Sequence, residues 1–582
     1  MKTTVKRLLS YVGYYKKQFI LGATLLLIAS ALELYSPIIA KQAIDRVMTP
    51  AAKTHQVDSM LLFQLLAAYL LLNLVGSLFR YISLLQLRKM SNQIVKKMRD
   101  QLFTHMHQLP ISYFDQMPSG KVVARITNDT EVLRSNFYVT VISNLLSNVI
   151  QIVGAFFALF LLNQLLGTVL LILIPILFVW QRYYTKYAAK YNLAMREYIS
   201  QISGELNEFI QGVAIIQAFQ QERALLKDFN QTVKKWFDMG RKYLLLDSAI
   251  AWGFGSLLRN LTILFFVSGV SALFLNDRLM LSAGLLYAFI DYINRLFDPI
   301  DGLVQTITNA QQSLAAGKRI FEFKDQEPET QQTEQINITQ GEVTFQHVTF
   351  GYKENQTILH DITFHVPAGK TVGLVGHTGS GKSSILNLLF RYYDPQEGTI
   401  LIDQQNIHDY DRHGLRDAMA IVMQDPYLFT GTIASNIGMN HPQITDDMIL
   451  AALKQIGLED FINRYEDGIY HPVVEKGNEF SSGERQLISF ARALVFDPKI
   501  LILDEATSHV DTETEAIIQH ALDVLQKGRT TFMIAHRLST IQKADQILVL
   551  EQGRIVESGT HHSLLQHQGI YQQMYQMQSE QL

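Results

Sequence analysis

At 582 residues, with a formal net charge of −3 and no cysteine, the chain is too long for a single hydrophobic core and too nearly neutral to offer nucleic acid a global basic field. It has no means to form disulfides, thiolate metal sites or a thiol nucleophile. Composition divides it: long apolar runs dominate to about residue 310, and from about residue 341 short β-rich stretches alternate with polar helical ones.

A helix rises about 1.5 Å per residue and a hydrocarbon core is about 30 Å thick, so a crossing takes roughly 20 mostly apolar residues. Six stretches qualify: 19–40, 60–85, 137–162, 165–180, 250–275 and 281–303, the third and fourth parted only by a tight turn at Asn163 and Gln164. As buried helices of a water-soluble protein they would demand an implausibly large helical core. Lys2, Lys6, Arg7, Lys16 and Lys17 ahead of the first run resemble the start of a secretory signal, but the run is too long, holds Glu33 and Pro37, and is followed by further spans.

Most Lys and Arg lie between spans two and three and between spans four and five, among them Arg88, Lys89, Lys96, Lys97, Lys186, Lys190, Lys234 and Lys235. The positive-inside rule places these segments and the N-terminus in the cytoplasm, and six crossings return the C-terminal region to that side of a multi-pass cell-membrane protein. Helical periodicity persists in both segments, so the spanning helices are expected to continue as stalks, with tips near 119–129 and 212–219. Ionisable groups inside spans are costly and mark functional candidates. These are Glu33, Asp291 and Arg295, with Tyr35, Trp252, Phe254 and Tyr287 as lining for an apolar cavity. Asp291 and Arg295, four apart on a helix, can equally pair with each other.

A polar stretch at 318–340 reads as a solvated linker, dividing a membrane domain, 1–317, from a second domain, 341–582. Shortly after it, the apolar run 371–375 leads into Gly376, His377, Thr378, Gly379, Ser380, Gly381, Lys382, Ser383 and Ser384. This is a phosphate-binding loop: glycines let backbone N–H groups converge on phosphates, Lys382 reaches the terminal phosphates, and the Ser383 hydroxyl is a ligand for Mg²⁺. The helix that follows adds its positive N-terminal end to the anion site. Further on, the apolar run 500–503 ends in Asp504 and Glu505, the pattern of a buried parallel strand with acids at its C-terminal edge. There Asp504 would hold Mg²⁺ through water and Glu505 would polarise the attacking water. Tyr352 is a candidate platform for adenine.

In this order the motifs resemble those of ABC transporters: from residue 343 onward the chain is similar to their ATP-binding cassette, and the six-span half is similar to a type IV exporter half-transporter. The resemblance implies an all-α six-helix transmembrane domain followed by an α/β P-loop ATP-binding cassette domain, using ATP and Mg²⁺. It implies that Tyr352 stacks on adenine, that Gln424 is the Q-loop residue near metal and water, and that Phe480, Ser481, Ser482, Gly483 and Glu484 form the signature motif, with Ser481 and Gly483 on phosphate. It further implies that Asp511 is the D-loop residue and His536 the switch histidine, that Glu475, Lys476 and Gly477 contact the opposing stalk, and that the two stalk tips are coupling helices. Asp511, ahead of Thr512, also suits a helix N-cap. The expected activity is ATP-driven export of amphiphilic small molecules, with a lipid flippase or a nucleotide-sensing regulator as alternatives. Nothing before the first span resembles a peptidase extension that would favour a peptide cargo.

The signature departs from the family's Leu-Ser-Gly-Gly-Gln. Ser482 adds a side chain where backbone must approach phosphate, and Glu484 adds negative charge. At roughly 6 Å and an effective dielectric of about 20, two unit charges repel by on the order of 3 kcal/mol. Cassettes of this family pair head to tail, so each signature completes the partner's nucleotide site. An altered signature beside an intact Lys382, Asp504, Glu505 and His536 therefore predicts a heterodimer, although two copies of this chain remain an alternative.

Overall fold

The computed structural model describes residues 2–275, 282–301, 303–329, 332, 334–353, 356–504, 512–534 and 541–579. The chain divides into two compact units, Met1–Gln108 with Met117–Glu327, and Leu109–Gln116 with Pro328–Leu582.

The first unit is helical. Five of its helices among the described residues are long and apolar enough to cross a membrane: Lys16–Ala52, Ser59–Gln108, Ser119–Leu162, Gln164–Gln211 and Glu222–Gly269. The sixth predicted span is the 19-residue helix Ala283–Asp301, whose composition is diluted by Asp291, Arg295, Asp298 and Asp301. Stalks follow from length: the 50 residues of Ser59–Gln108 extend about 75 Å, more than twice the hydrocarbon thickness. The tight turn predicted at Asn163 is present. Its side chain caps the next helix by accepting from the Leu166 N–H at 3.1 Å, and Gly167 lies where a Cβ would meet Phe160 Cα at 2.9 Å. Only a glycine lets the two helices close so tightly.

One stalk tip is not where the sequence placed it. Residues 119–129 are the beginning of the third long helix. The separate short helix at that turn is Ile111–Gln116, bracketed by Pro110 and Pro118, each of which interrupts helical hydrogen bonding. This helix belongs to the second unit, where the Tyr393 hydroxyl donates to the Asp115 carboxylate. The other tip agrees with expectation: Val213–Ala218 is a short helix between two long ones.

The described residues of 318–340 make more contacts than a solvated linker would. Helix Leu303–Lys324 runs through its first part. Beyond it, Glu329 pairs with Arg412 and Arg416, and the Asp403 carboxylate accepts from the backbone N–H groups of Thr339, Gln340 and Glu342 at 2.8–2.9 Å. Burial opposes ionisation of Asp403, but these donors prevail and hold its carboxyl below the usual value.

The second unit is α/β. Strands β1 (Val343–Phe350), β2 (Leu359–Val366), β4 (Glu397–Ile402) and β5 (Gln405–Asn406) form an antiparallel sheet in the order β2-β1-β4-β5. Strands β3 (Thr371–Val375), β6 (Met419–Val422), β9 (Ile500–Asp504), β10 (Thr530–Ile534), β11 (Gln546–Glu551) and β12 (Arg554–Gly559) form a second sheet in the order β12-β11-β3-β10-β9-β6. All of its pairings are parallel except β11 with β12. The short strands β7 (Gly431–Thr432) and β8 (Pro472–Val473) pair antiparallel with each other. Ile500, Leu501 and Ile502 of β9 are completely buried, as expected of a strand covered on both faces.

Candidate functional site

In the parallel sheet, β10 lies between β3 and β9, with Ile534 opposite Leu374 on one side and Asp504 on the other; Val422 of β6 is opposite Leu503. The C-terminal ends of β3, β6 and β9 therefore share one edge, the place where parallel α/β sheets bind ligands. The phosphate loop follows β3, Asp504 ends β9, and Gln424, exposed, follows β6.

The loop's backbone explains its glycines. Gly376, Gly379 and Gly381 have φ of 155°, 84° and 105°, and a Cβ on Gly376 would meet the Leu550 carbonyl at 2.2 Å. Around Gly379 there is open space, with nothing within 4 Å of an added Cβ. Thr378 and Ser383 are exposed, whereas Ser380, Lys382 and Ser384 are buried. The Lys382 ammonium donates to the carbonyls of Gly376 at 2.6 Å and His377 at 3.1 Å, which holds it across the loop. Helix Lys382–Leu389 begins after Gly381 with no side-chain cap, so its first N–H groups remain directed at the loop. Ser380 Oγ is buried and has no hydrogen-bond partner among the described residues. An orphaned hydroxyl, an uncapped helix start and a lysine in a glycine-walled cradle together fit the phosphates of a nucleotide.

Tyr352 is partly exposed beside this loop. Its hydroxyl lies 3.2 Å from Ser384 Oγ and accepts from Asn387 Nδ2 at 2.9 Å, while its ring meets the rings of Phe350 and Tyr393 edge-on at 4.9 Å. Sequence reasoning missed Asn387 and Tyr393. Asn387 is legible in retrospect, being four residues after Ser383 on the loop helix, whereas the link from Tyr393 to Asp115 requires the fold. Glu505, Asp511 and His536 lie outside the described residues.

Ser481 and Gly483 belong to a different helix start, that of Ser482–Val495. Here Ser481 is the N-cap of a reciprocal box: its hydroxyl accepts from the Glu484 N–H at 3.2 Å, and the Glu484 carboxylate accepts from the Ser481 N–H at 2.9 Å. The other Glu484 oxygen accepts from Arg464 Nη2 at 3.0 Å. This amends the expectation of an acid repelling phosphate, because the carboxylate is folded back and paired. The signal was present in the sequence as Ser-x-x-Glu, a capping-box pattern that glutamine at the last position would also satisfy. Nearby, Glu475, Lys476 and Gly477 take φ of 44°, 66° and 74° in succession, a turn that the two non-glycine residues adopt at a conformational cost.

In the membrane unit, Asp291 and Arg295 pair at 2.6 Å along their helix, and Arg295 also reaches Ser36 Oγ at 3.4 Å. Glu33 is paired as well: Arg80 on the second long helix donates to its carboxylate. Tyr35 and Tyr287 are exposed. Phe254 lines a largely apolar pocket of about 670 Å³ with Trp180, Tyr183 and Ile250. The side chain of Trp252 lies outside the described set.

Residues 19–300 match the family model for the ABC transporter transmembrane region, and residues 359–508 match that for the ABC transporter. The chain is 47% identical over 504 residues to a probable multidrug resistance ABC transporter ATP-binding/permease protein of Bacillus subtilis, covering 86% of this chain and 75% of that one. It is 34% identical to an ATP-dependent lipid A-core flippase of Yersinia pestis, covering 99% of this chain and 98% of that one. A solved bacterial Atm1-family ABC exporter with ATP bound superposes with a TM-score of 0.79 at 28% identity, over 97% of this chain and 98% of that chain. With its helical membrane unit, a cassette whose phosphate loop is shaped for nucleotide, and kinship along nearly its whole length, the chain belongs to the ABC transporter family as an exporter half-transporter that couples ATP hydrolysis to transport across a membrane.

Proposed function

We propose that the chain is one subunit of a heterodimeric multidrug-type exporter whose two nucleotide sites are unequal. The observation that carries this reading is the coexistence of a complete phosphate loop, with Asp504 on the same sheet edge, and a signature altered at Ser482 and Glu484. In a homodimer the altered signature would face both loops; in a heterodimer it faces only the partner's. The name of the Bacillus relative supports an amphiphilic drug-like cargo, and that of the Yersinia relative a lipid. The basic stalks support a cytoplasmic cassette.

At the intact site Lys382 and the loop N–H groups bind the β- and γ-phosphates, and Tyr352 offers its ring to adenine. Glu505 polarises the attacking water, His536 is the switch histidine that senses the γ-phosphate, and Asp511 is the D-loop residue at the nucleotide. Ser383, Gln424 and Asp504 would hold Mg²⁺, whose chemistry is to neutralise charge on the phosphates. The short helices Ile111–Gln116 and Val213–Ala218 are the candidate coupling helices.

The test is to express the chain alone and beside candidate partner subunits, reconstitute each preparation in vesicles, and measure ATPase and transport with cationic amphiphiles and with labelled lipids. Full, substrate-stimulated activity from this chain alone refutes the heterodimer. Stimulation by lipids without drug transport assigns it to flipping.

A further inference from the structure

We infer that Arg464 is a positioning residue for the nucleotide that this chain's signature completes: by neutralising and holding back Glu484, it lets an acidic signature close on phosphate. The inference deepens the unequal-site reading and rests on it for which nucleotide is affected.

Glu484 stands in the first turn of helix Ser482–Val495, where an acid complements the helix N-terminus and competes with any bound anion. Its carboxylate is engaged at both oxygens, one with the Ser481 N–H at 2.9 Å and the other with Arg464 Nη2 at 3.0 Å. Its side chain is only 19% exposed, so the charge is largely withdrawn from solvent. Arg464 is placed independently of that bond. Its guanidinium lies over the Phe461 ring, 5.1 Å from the centroid; Phe461 in turn packs on Tyr465 and on Phe480, the buried first residue of the signature. The neighbouring charges have other bonds: Arg485 donates to the Phe480 carbonyl at 2.6 Å, and Glu479 accepts from the Val474 N–H at 3.0 Å. Among the described residues, Arg464 is therefore the cation that answers Glu484. Glutamine at this position would keep the capping box and need no counter-ion. Arg464 thus matters because residue 484 is an acid, and the altered signature is a nucleotide-holding half-site.

The test uses the purified full-length dimer and radiolabelled ATP, with bound nucleotide counted per dimer. Arg464→Ala should weaken retention by about tenfold at one of two sites, Arg464→Lys much less, and Arg464→Ala combined with Glu484→Gln should return retention to within about twofold of the parent. Rescue separates charge compensation from a packing role, because removing Arg464 for structural reasons would leave the double variant as weak as the single one. No loss in Arg464→Ala, or no rescue by Glu484→Gln, overturns the inference. If the loss and its rescue occur at both sites together, Arg464 keeps its role and the heterodimer reading fails.

Discussion

Two helix starts in the cassette meet the same physical problem in opposite ways. Every α-helix begins with N–H groups that lack intrahelical partners. At Lys382–Leu389 no side chain caps them: Gly381 precedes the helix at φ 105°, and Lys382 adds a cation. At Ser482–Val495 the first turn satisfies itself, with Ser481 and Glu484 exchanging hydrogen bonds and Arg464 balancing the charge. One start is left open, and the other carries its own cap. On the proposed reading of a composite nucleotide site, this contrast assigns tight binding to the loop and conditional closure to the signature.

The largest expected effect is at the open start. Glu505→Gln removes the group proposed to polarise water while leaving the loop intact, so steady-state ATPase should fall by about a hundredfold or more with ATP binding retained. Near-normal turnover in the purified complex would remove Glu505 from its role. Next comes the loop itself. Gly376→Ala sets a methyl group against the Leu550 carbonyl at 2.2 Å, at a backbone angle that side chains rarely adopt. ATP affinity should drop by at least about tenfold, a cost of roughly 1.4 kcal/mol; an unchanged dissociation constant would mean that the loop's shape is not what binds phosphate.

What could be read from the sequence depended on whether a feature was local. The phosphate loop, the buried strand ending at Asp504 and five of the six long apolar helices are contiguous patterns, and each stands where its pattern placed it. The helix Ile111–Gln116 is shorter than any periodicity can report, although Pro110 and Pro118 mark its limits. The partners Arg80 for Glu33, Asp115 for Tyr393 and Arg464 for Glu484 come from other elements, and only folding brings them within reach. Glu484 is the instructive case. Its charge was legible and its consequence was not, because the energy of a charge is set by its neighbours.

Glu33 extends the comparison into the membrane unit, where a charge is answered as it is at Glu484. Read alone, it was a functional candidate as an ionisable group inside a span; paired with Arg80 across two helices, it is better placed to join them. Glu33→Gln should then destabilise the protein in detergent by about 2 kcal/mol, less than a fully buried pair would cost because both side chains keep some exposure. Transport of cationic and neutral substrates should decline together. A loss confined to cationic substrates would return Glu33 to the cargo path.

The smallest effect is at the self-satisfied start. Ser481→Ala deletes the acceptor for the Glu484 N–H but leaves the Glu484 carboxylate its bonds to Arg464 and to the backbone N–H of residue 481, so the helix loses one half of its box. N-cap substitutions of this kind cost about 1 kcal/mol, which corresponds to roughly fivefold faster amide exchange in the first turn when opening is local. Ser481→Thr keeps the acceptor and should leave exchange near the parent rate. The first turn of Lys382–Leu389 has no such cap to lose, so in the same experiment its amides should be slowed by ATP and be indifferent to Ser481. If Ser481→Ala accelerates exchange at both helix starts, the two are one cooperative unit and the division between an open and a closed start is wrong.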